Sequence, residues 1–479
     1  MHLLQPDLHA RRAFLVRAGQ LAAAGAGLPL ALNLAAIGEA AAFGATGYRA
    51  LVCVYLSGGN DHDNTVVPYD PGSYDRYSAA RGGGPNRSAG GIALGRDALA
   101  PTALAPRVPL AGGRQYALNP ALAGLTSLFD AGHLAVVLNV GPLIVPVTRA
   151  QWAGTDRVRY PLPPKQFSHN DQTSVWQSSA PEGATSGWGG RIGDLALAGN
   201  SETLFTCISV GGNAVFLAGR QALQYQLTSA GAVATDCVRR PVYGSIAVRD
   251  AIAQIVTRAP SGVFEAEYNR VVARSLASEA KVGAALAGVR VDTPFAGGAL
   301  AEQLRMVARL IAARAVLGVK RQVFMVNLGG FDTHGALLGR HAALMRQLDP
   351  ALSSFYQATV DLGVADQVTT FTASEFGRTL SSNGDGSDHG WGSHHLVIGG
   401  AVRGGLFYGT PPPVSVGNSD APEDQEHVGQ GRLIPSIALD QYAATLALWF
   451  GVEPAELGAI LPYLGNFGDP AHPINLGFV

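Results

Sequence analysis

The stretch at residues 49–61, RALVCVYLSGGND, joins an almost continuous apolar run to two glycines and a carboxylate, Asp61. A short run of this kind, bounded by turn residues, is typical of a strand buried on both faces of a parallel sheet. Similar runs recur at residues 133–140, 206–210, 322–328, 367–373 and 395–400. The pattern therefore predicts a large central sheet.

Helical periodicity separates several of these runs. Apolar residues recur at helical spacing over residues 300–311 and again over residues 344–355. Alternation of strands and helices favours an α/β fold with a mostly parallel central sheet and helices on both faces. Three stretches rich in Gly, Pro and Arg predict long loop excursions, at residues 70–115, 141–165 and 405–432.

The composition excludes several classes of protein. The chain has 479 residues, and Lys+Arg at 34 against Asp+Glu at 35 gives a net charge of -1, so no electrostatic feature points to nucleic acid as a partner. Hydrophobic residues at 47% and charged residues at 14% indicate a folded chain with a large core. Three cysteines cannot build a disulfide framework, although a bond between Cys207 and Cys237 is left open.

The first 42 residues have the features of an export signal. Paired Arg11 and Arg12 precede a weakly apolar stretch that is rich in Ala and Gly and ends in small residues, as in a twin-arginine signal peptide. A span made mostly of Ala and Gly is a poor membrane anchor. We predict a cleaved twin-arginine signal over residues 1–42 and a single domain over residues 43–479. The expected location is periplasmic or secreted, with no stable membrane span after cleavage.

Acidic and imidazole side chains follow the predicted strands at several points. Ligands of open α/β sheets bind beyond the carboxyl ends of the strands, so these side chains are expected to meet. Aspartate together with histidine suits zinc, manganese or iron better than calcium. We therefore predict a site for divalent metal ions, with ligands from Asp61, Asp332, His334, Asp388, His389, His394 and His395.

The spacing within these motifs refines the ligand set. Asp332 and His334 are two residues apart, which in an extended chain directs both side chains to the same side. His394 and His395 are adjacent, so a strand would direct them to opposite faces. Only one of these two histidines is therefore expected to be a ligand.

Two further residues are candidates for catalysis. Ser168 lies at a predicted helix start in the segment KQFSHNDQTSVWQSS, residues 165–179, where it is either a capping residue or a metal-activated nucleophile. Its neighbour His169 could be a ligand or an acid. Arg378 either forms an ion pair with Glu375 or faces the site and binds an anionic substrate.

Six segments carry these features in a fixed order: LVCVYLSGGNDHDNTVVP, FSHNDQTSVWQ, NLGGFDTH, SEFGRT, SDHGWGSHHLVIGGAVRGG and DQYAATLALWFG. Their order resembles that of the twin-arginine-exported proteins grouped as domain of unknown function 1501, which are similar to the alkaline phosphatase and sulfatase superfamily. The resemblance implies an alkaline phosphatase/sulfatase-like α/β domain with a two-metal site. It further implies two ligand sets, one of Asp61, Asp388 and His389 beside Ser168 as nucleophile, the other of Asp332, His334 and either His394 or His395.

Together these features predict an exported metal-dependent hydrolase that acts on a small anionic substrate, a phosphate or sulfate ester. A metal-activated serine or water would be the nucleophile. The alternative is a non-catalytic exported protein that retains the fold and binds a metal or a partner. A third possibility, which the family resemblance alone raises, is that the protein works alongside another exported protein.

Overall fold

The computed structural model describes residues 47–83, 91–232, 236–258, 262–296 and 298–479. The predicted signal peptide over residues 1–42 lies outside these ranges. None of the described helices has both the length and the apolar character that crossing a membrane requires. Cys207 is a buried free thiol and Cys237 an exposed one, so no disulfide joins them.

The strands of the described chain vary from two to nine residues in length. They are β1 (Arg49–Ser57), β2 (Val66–Pro68), β3 (Tyr116–Leu118), β4 (Leu134–Gly141), β5 (Cys207–Ser209), β6 (Gln224–Gln226), β7 (Arg321–Gly329), β8 (Val368–Ala373), β9 (Ser393–Gly399), β10 (Leu406–Tyr408) and β11 (Ile437–Ala438).

The α-helices lie between these strands, with short 3-10 turns in the connections. They are α1 (Pro71–Ala80), α2 (Arg96–Leu99), α3 (Ala123–Ala131), α4 (Arg149–Ala153), α5 (His169–Ser178), α6 (Trp188–Ala196), α7 (Asp236–Arg239), α8 (Ile246–Thr257), α9 (Val263–Ala287), α10 (Ala299–Ala312), α11 (Leu337–Asp361), α12 (Leu439–Phe450) and α13 (Leu457–Ile460).

A nine-stranded sheet forms the centre of the molecule, in the order β10-β4-β9-β8-β1-β7-β5-β6, with β11 beside β4. Neighbouring strands are parallel except for β9, which pairs antiparallel with both β4 and β8. The predicted mostly parallel central sheet is therefore confirmed. Its direction reversal at β9 was not part of the prediction.

Strand β1 is buried on both faces, as its apolar run predicts. Residues Ala50, Val52 and Val54 belong to one hydrophobic core, whereas the intervening Leu51 and Cys53 belong to the other. Helices α3, α10 and α11 cover the first face, and α5, α6 and α12 cover the second. The prediction of helices on both faces is confirmed.

The strand directions bring the polar segments to one edge of the sheet. Parallel strands β1, β7 and β8 all end at this edge. Because β9 runs the other way, it begins there, so residues 374–392 form a connection that stays at the same edge. The segments after β1 and β7, this connection and the start of β9 are therefore neighbours.

The predicted excursion at residues 70–115 contains regular structure as well as loop. Asp70 caps helix α1, since its Oδ1 accepts a hydrogen bond from the Ser73 amide at 3.0 Å, and Pro71 takes the first helical position, where its missing N–H costs nothing. Arg81 follows the helix and is fully buried. Helix α1 therefore places the Arg81 guanidinium at the edge of the sheet. The sequence did not predict this position.

Candidate metal centre

Two glycines let the segment after β7 approach its neighbours closely. Gly58, just beyond β1, has φ +117°, and a Cβ on it would lie 2.3 Å from the Asp332 amide nitrogen. A Cβ on Gly386 would lie 2.2 Å from the His334 carbonyl carbon. Side chains at either position would push Asp332 or His334 away, because such distances are far inside van der Waals contact.

Asp332 is the centre of a cluster of imidazoles at this edge. Its Oδ1 lies 3.1 Å from Nε2 of His334 and 3.1 Å from Nε2 of His389. Its Oδ2 lies 3.4 Å from Nε2 of His169, the first residue of α5. Three histidines from three separate segments therefore direct the same ring nitrogen at one carboxylate.

The opposite ring nitrogen of each histidine is held by an acceptor. Nδ1 of His389 lies 2.7 Å from the Phe167 carbonyl oxygen, Nδ1 of His169 lies 3.0 Å from Glu375 Oε1, and Nδ1 of His334 lies 3.2 Å from Asp388 Oδ1. A carbonyl oxygen can only accept, so Nδ1 of His389 carries the hydrogen. The carboxylates beside Nδ1 of His169 and His334 favour the same tautomer, in which Nε2 is free to bind a metal ion.

Two of the Nε2 atoms lie so close together that a hydrogen or a metal ion must lie between them. Nε2 of His334 and Nε2 of His389 are 2.9 Å apart, a distance at which two lone pairs repel unless a proton or a metal ion lies between them. Burial lowers the pKa of His389 and so disfavours its protonated form. Histidines whose second nitrogen is anchored by a carboxylate or a carbonyl are the usual form of metal-binding histidine. The residues fit a divalent metal ion.

The ligand atoms are close enough to share one ion. One atom each from His169, Asp332 and His389 lies within 4.8 Å of the other two, and all three residues are half-buried. Imidazole nitrogen with carboxylate oxygen is a donor set that suits zinc, manganese or iron.

Arg378 fixes the charge and position of Asp332. Its Nη1 donates to Asp332 Oδ1 at 3.0 Å. Burial alone would raise the pKa of Asp332, but the hydrogen bond from Arg378, together with its positive charge, outweighs burial and lowers that pKa to about 2. Asp332 is therefore an anion at any ordinary pH.

The remaining donors of Arg378 are engaged by the protein. Its Nε donates to Ser387 Oγ at 3.0 Å, its Nη1 also donates to the Gly58 carbonyl at 3.0 Å, and its Nη2 donates to the Ser387 carbonyl. The side chain is fully buried. In this structure Arg378 positions Asp332 and has no free end for a substrate, and it does not pair with Glu375, the partner that one hypothesis gave it.

Four of the predicted ligands lie in the cluster. Asp332 contacts His334 and His389 directly. Asp388 contacts the other ring nitrogen of His334. Burial alone would raise the pKa of Asp388, but hydrogen bonds from Asn383 and His334 outweigh it and lower that pKa. These four come from the segment after β7 and from the connection between β8 and β9.

Asp61 is placed elsewhere, in a buried ion pair. Both of its oxygens accept from the Arg81 guanidinium, at 2.7 and 2.6 Å. Burial alone would raise the pKa of Asp61, but Arg81 outweighs it and the pKa is lowered. This salt bridge uses the lone pairs that a metal would need, so the structure does not bring Asp61 into the cluster.

His394 and His395 also lie outside the cluster, on opposite faces of β9. Nδ1 of His394 accepts from the Asn139 amide at 3.0 Å, and its ring contacts His62 edge to face. The ring of His395 stacks on Tyr442 in one of the hydrophobic cores. Burial lowers the pKa of His394 well below its usual value and that of His395 to about 3. Both are neutral core histidines here.

Ser168 occupies the predicted position before a helix. It is the N-cap residue of α5, but its side chain caps no backbone N–H. Its Oγ donates to Asp171 Oδ2 at 2.9 Å. The hydroxyl is thus directed at a neighbouring carboxylate, and it is His169, the next residue, that reaches the cluster.

Glu375 is the residue of the site whose role the sequence did not reveal. Its Oε1 accepts from the Gly58 amide at 2.8 Å and holds His169 Nδ1. This hydrogen bond raises the pKa of His169. The only sequence signal for this role was a carboxylate directly after a predicted strand end, and that signal did not say which partner it would take.

A family model described as "Protein of unknown function (DUF1501)" matches residues 48–430 of the chain. Among curated proteins there is no match. The family match covers every residue of the cluster described above.

Sulfatases and an alkaline phosphatase are among the solved structures that match. The PsFucS1 sulfatase from Pseudoalteromonas sp. is 10% identical, with 92% of this chain and 73% of that chain covered and a TM-score of 0.34. Ps i-CgsB in complex with k-i-k-neocarrahexaose is 9% identical, with coverages of 88% and 77% and a TM-score of 0.35. A mutant of the alkaline phosphatase PafA is 11% identical, with coverages of 70% and 64% and a TM-score of 0.27.

Proposed function

The chain belongs to the DUF1501 family, described as proteins of unknown function, and we propose that it is a metal-dependent hydrolase of phosphate or sulfate esters. The observation that carries the proposal is the convergence of three Nε2 atoms on Asp332. A cluster of this kind on a rigid sheet edge is preorganised for an ion and for an ester oxygen beside it.

The metal would be held by His169, Asp332, His334 and His389. A divalent ion there would supply Lewis acidity toward an ester oxygen and toward water. Zinc, manganese or iron fits this donor set better than calcium. The side chains are half-buried or more exposed, so a small substrate can reach them from solvent.

Three further residues orient the proposed metal ligands. Arg378 holds Asp332 in its anionic form, Glu375 fixes the ring of His169, and Asp388 fixes the ring of His334. Partners of this type orient metal ligands and set their tautomers.

We propose water rather than Ser168 as the nucleophile. The Ser168 hydroxyl donates to Asp171, so its proton is directed away from any base in the cluster. Water needs no such rearrangement, since the centre is open to solvent.

The test is metal analysis of the purified protein followed by assays with aryl phosphates and aryl sulfates. Asp332→Asn should lose bound metal and turnover together. Asp469→Asn is the matched control, because Asp469 forms a surface pair with His472 at 3.2 Å and should leave both unchanged. Metal without turnover would leave a non-catalytic metal- or partner-binding protein, and absence of metal would refute the proposal.

We propose a periplasmic or secreted location because paired Arg11 and Arg12 precede a weakly apolar stretch that is rich in Ala and Gly and ends in small residues. Replacing both with lysine should retain the tagged protein in the cytoplasmic fraction if the signal is of the twin-arginine type. Unchanged export would contradict this assignment.

A further inference from the structure

One arginine beside the metal centre has a guanidinium that is anchored at one end only. Nε of Arg432 donates to the His389 carbonyl at 2.7 Å, and its Cζ lies 5.3 Å from the centre of the Phe167 ring. Within the described ranges of the chain, no side chain or carbonyl accepts a hydrogen bond from its two Nη groups. The residue is half-buried.

This free end distinguishes Arg432 from Arg378. Arg378 is fully buried and donates through Nε and both Nη groups to protein acceptors. Arg432 keeps two parallel donors, the fork that binds two oxygens of a phosphate or sulfate group at once.

A strained residue places Arg432 and His389 together. Phe167 has φ +70°, in the left-handed region that bulky residues rarely adopt. Its carbonyl holds His389 Nδ1 and its ring lies beneath the Arg432 guanidinium. Strain of this kind persists where the surroundings enforce it and is concentrated at functional sites.

The chain before Arg432 is equally constrained. Gly429, Gln430 and Gly431 all have positive φ, at +97°, +52° and +71°, and the Arg432 amide closes the turn by donating to the Gly429 carbonyl at 3.0 Å. The guanidinium is therefore held in place from its backbone, its Nε and its stacked face, so little entropy is lost when a ligand binds.

Among the described residues, the Asp388 carboxylate does not pair with the free end of Arg432. Asp388 acts on Arg432 electrostatically, yet no ion pair joins the two side chains within the described residues. Asp388 Oδ1 is taken instead by His334 and by Asn383 Nδ2 at 2.9 Å. The Nη groups of Arg432 remain available to an anion.

We infer that Arg432 binds the tetrahedral oxyanion of the substrate, phosphoryl or sulfuryl, next to the metal centre. The inference rests on the proposed function for the ester chemistry, but the anion-binding role is measurable without turnover. Arg432 thus takes the role of binding an anionic substrate, which one hypothesis from the sequence gave to Arg378.

The experiment measures binding of inorganic phosphate and inorganic sulfate by calorimetry, with the full-length protein both metal-free and loaded with Zn²⁺. Arg432→Ala should weaken oxyanion binding by about 10–100-fold while zinc affinity stays unchanged, because a charge-assisted bidentate pair is lost. Arg432→Lys should recover only part of the affinity, since lysine lacks the fork. The tighter of the two anions identifies phosphoryl or sulfuryl as the group recognised.

Arg96→Ala is the matched control. Arg96 also stacks on an aromatic ring, 5.1 Å from Tyr69, and donates to a main-chain carbonyl, but it lies outside the cluster, so its loss should leave oxyanion binding at the wild-type level. Equal affinities of wild type and Arg432→Ala, or no oxyanion binding by wild type in either form, would overturn the inference. Binding through Arg432 by a protein that takes no zinc would support it and refute the proposed metal-dependent activity.

Discussion

The Nε2 atoms of His334 and His389 lie 2.9 Å apart, and Asp332 Oδ1 lies 3.1 Å from each of them. Because Nδ1 of His389 donates to a carbonyl oxygen, its Nε2 presents a lone pair. At this distance Nε2 of His334 either donates a hydrogen to that lone pair or shares a metal ion with it.

Metal removal should destabilise the protein. An ion that binds only the folded state raises the free energy of unfolding by about 2.7 kcal/mol at a concentration 100 times its Kd. We expect a lower melting temperature after dialysis against a chelator and recovery on adding back Zn²⁺ or Mn²⁺. Asp332→Asn should show no such recovery, and a recovery equal to that of wild type would contradict the ligand assignment.

Glu375→Gln should weaken metal binding without unfolding the protein. The amide can still accept from the Gly58 amide but no longer presents a carboxylate to His169 Nδ1. Loss of such a partner typically lowers metal affinity about 10–100-fold. Titration against a coloured chelator measures the change, with Glu182→Gln as the exposed control. Equal affinities for the two variants would show that Glu375 is not a positioning residue.

Asp61→Asn should destabilise the fold rather than the metal centre. It leaves the Arg81 charge buried without its bidentate partner, which typically costs about 3–5 kcal/mol. Urea denaturation should show this loss. Adding Arg81→Met should restore part of it, because the buried cation, whose remaining ion-pair partner is Asp63 at 3.5 Å, is then gone. A loss of metal binding with unchanged stability would instead return Asp61 to the ligand set.

Acid should destabilise the protein partly through His395. Burial lowers the pKa of this histidine in the folded state to about 3, whereas an unfolded histidine takes up a proton near pH 6.5. The unfolded state therefore binds more protons between these values, and the free energy of unfolding falls by about 1.4 kcal/mol for each unit that the pH decreases.

The stability that His395 contributes is complete above pH 6.5 and is lost as the pH falls toward 3. His395→Phe keeps an aromatic ring against Tyr442 and should flatten this part of the profile. Urea denaturation at several pH values between 7 and 4 measures the slope. Parallel profiles for wild type and variant would show that His395 does not carry the effect.

Ser168→Ala should retain most of the hydrolytic activity. The hydroxyl donates to Asp171, and water is the proposed nucleophile. Steady-state kinetics with an aryl phosphate and an aryl sulfate would measure the effect. A loss as large as that of Asp332→Asn would establish Ser168 as the nucleophile and refute the water pathway.

The sheet could be predicted from sequence because its strands are buried on both faces. The run over residues 49–56 has apolar side chains on both sides of the strand, and the structure buries them in two separate cores. The direction of each strand could not be predicted, because the same apolar run occurs whether the neighbouring strand is parallel or antiparallel. The reversal at β9 was therefore not accessible, although it is what brings His394 to the edge.

The centre of the site could be predicted in part. Asp332 and His334 come from the segment directly beyond β7, where the strand-end rule applies, and Asp388 and His389 come from the connection between β8 and β9, shortly before β9 begins. His169 begins a helix instead, so the rule did not select it over Ser168. Partners that depend on long-range packing left no local signal in the sequence, as Arg81 for Asp61 and Arg432 for His389 illustrate.

The antiparallel course of β9 gives residues 374–392 a particular character. This single uninterrupted connection between β8 and β9 contributes Glu375, Arg378, Asp388 and His389. One of the four proposed metal ligands, His389, and the three residues that position the other ligands therefore lie in a single segment, which enters and leaves the sheet at neighbouring strands. Substitutions within this segment would alter the surroundings of the centre while every strand beneath it stayed in register.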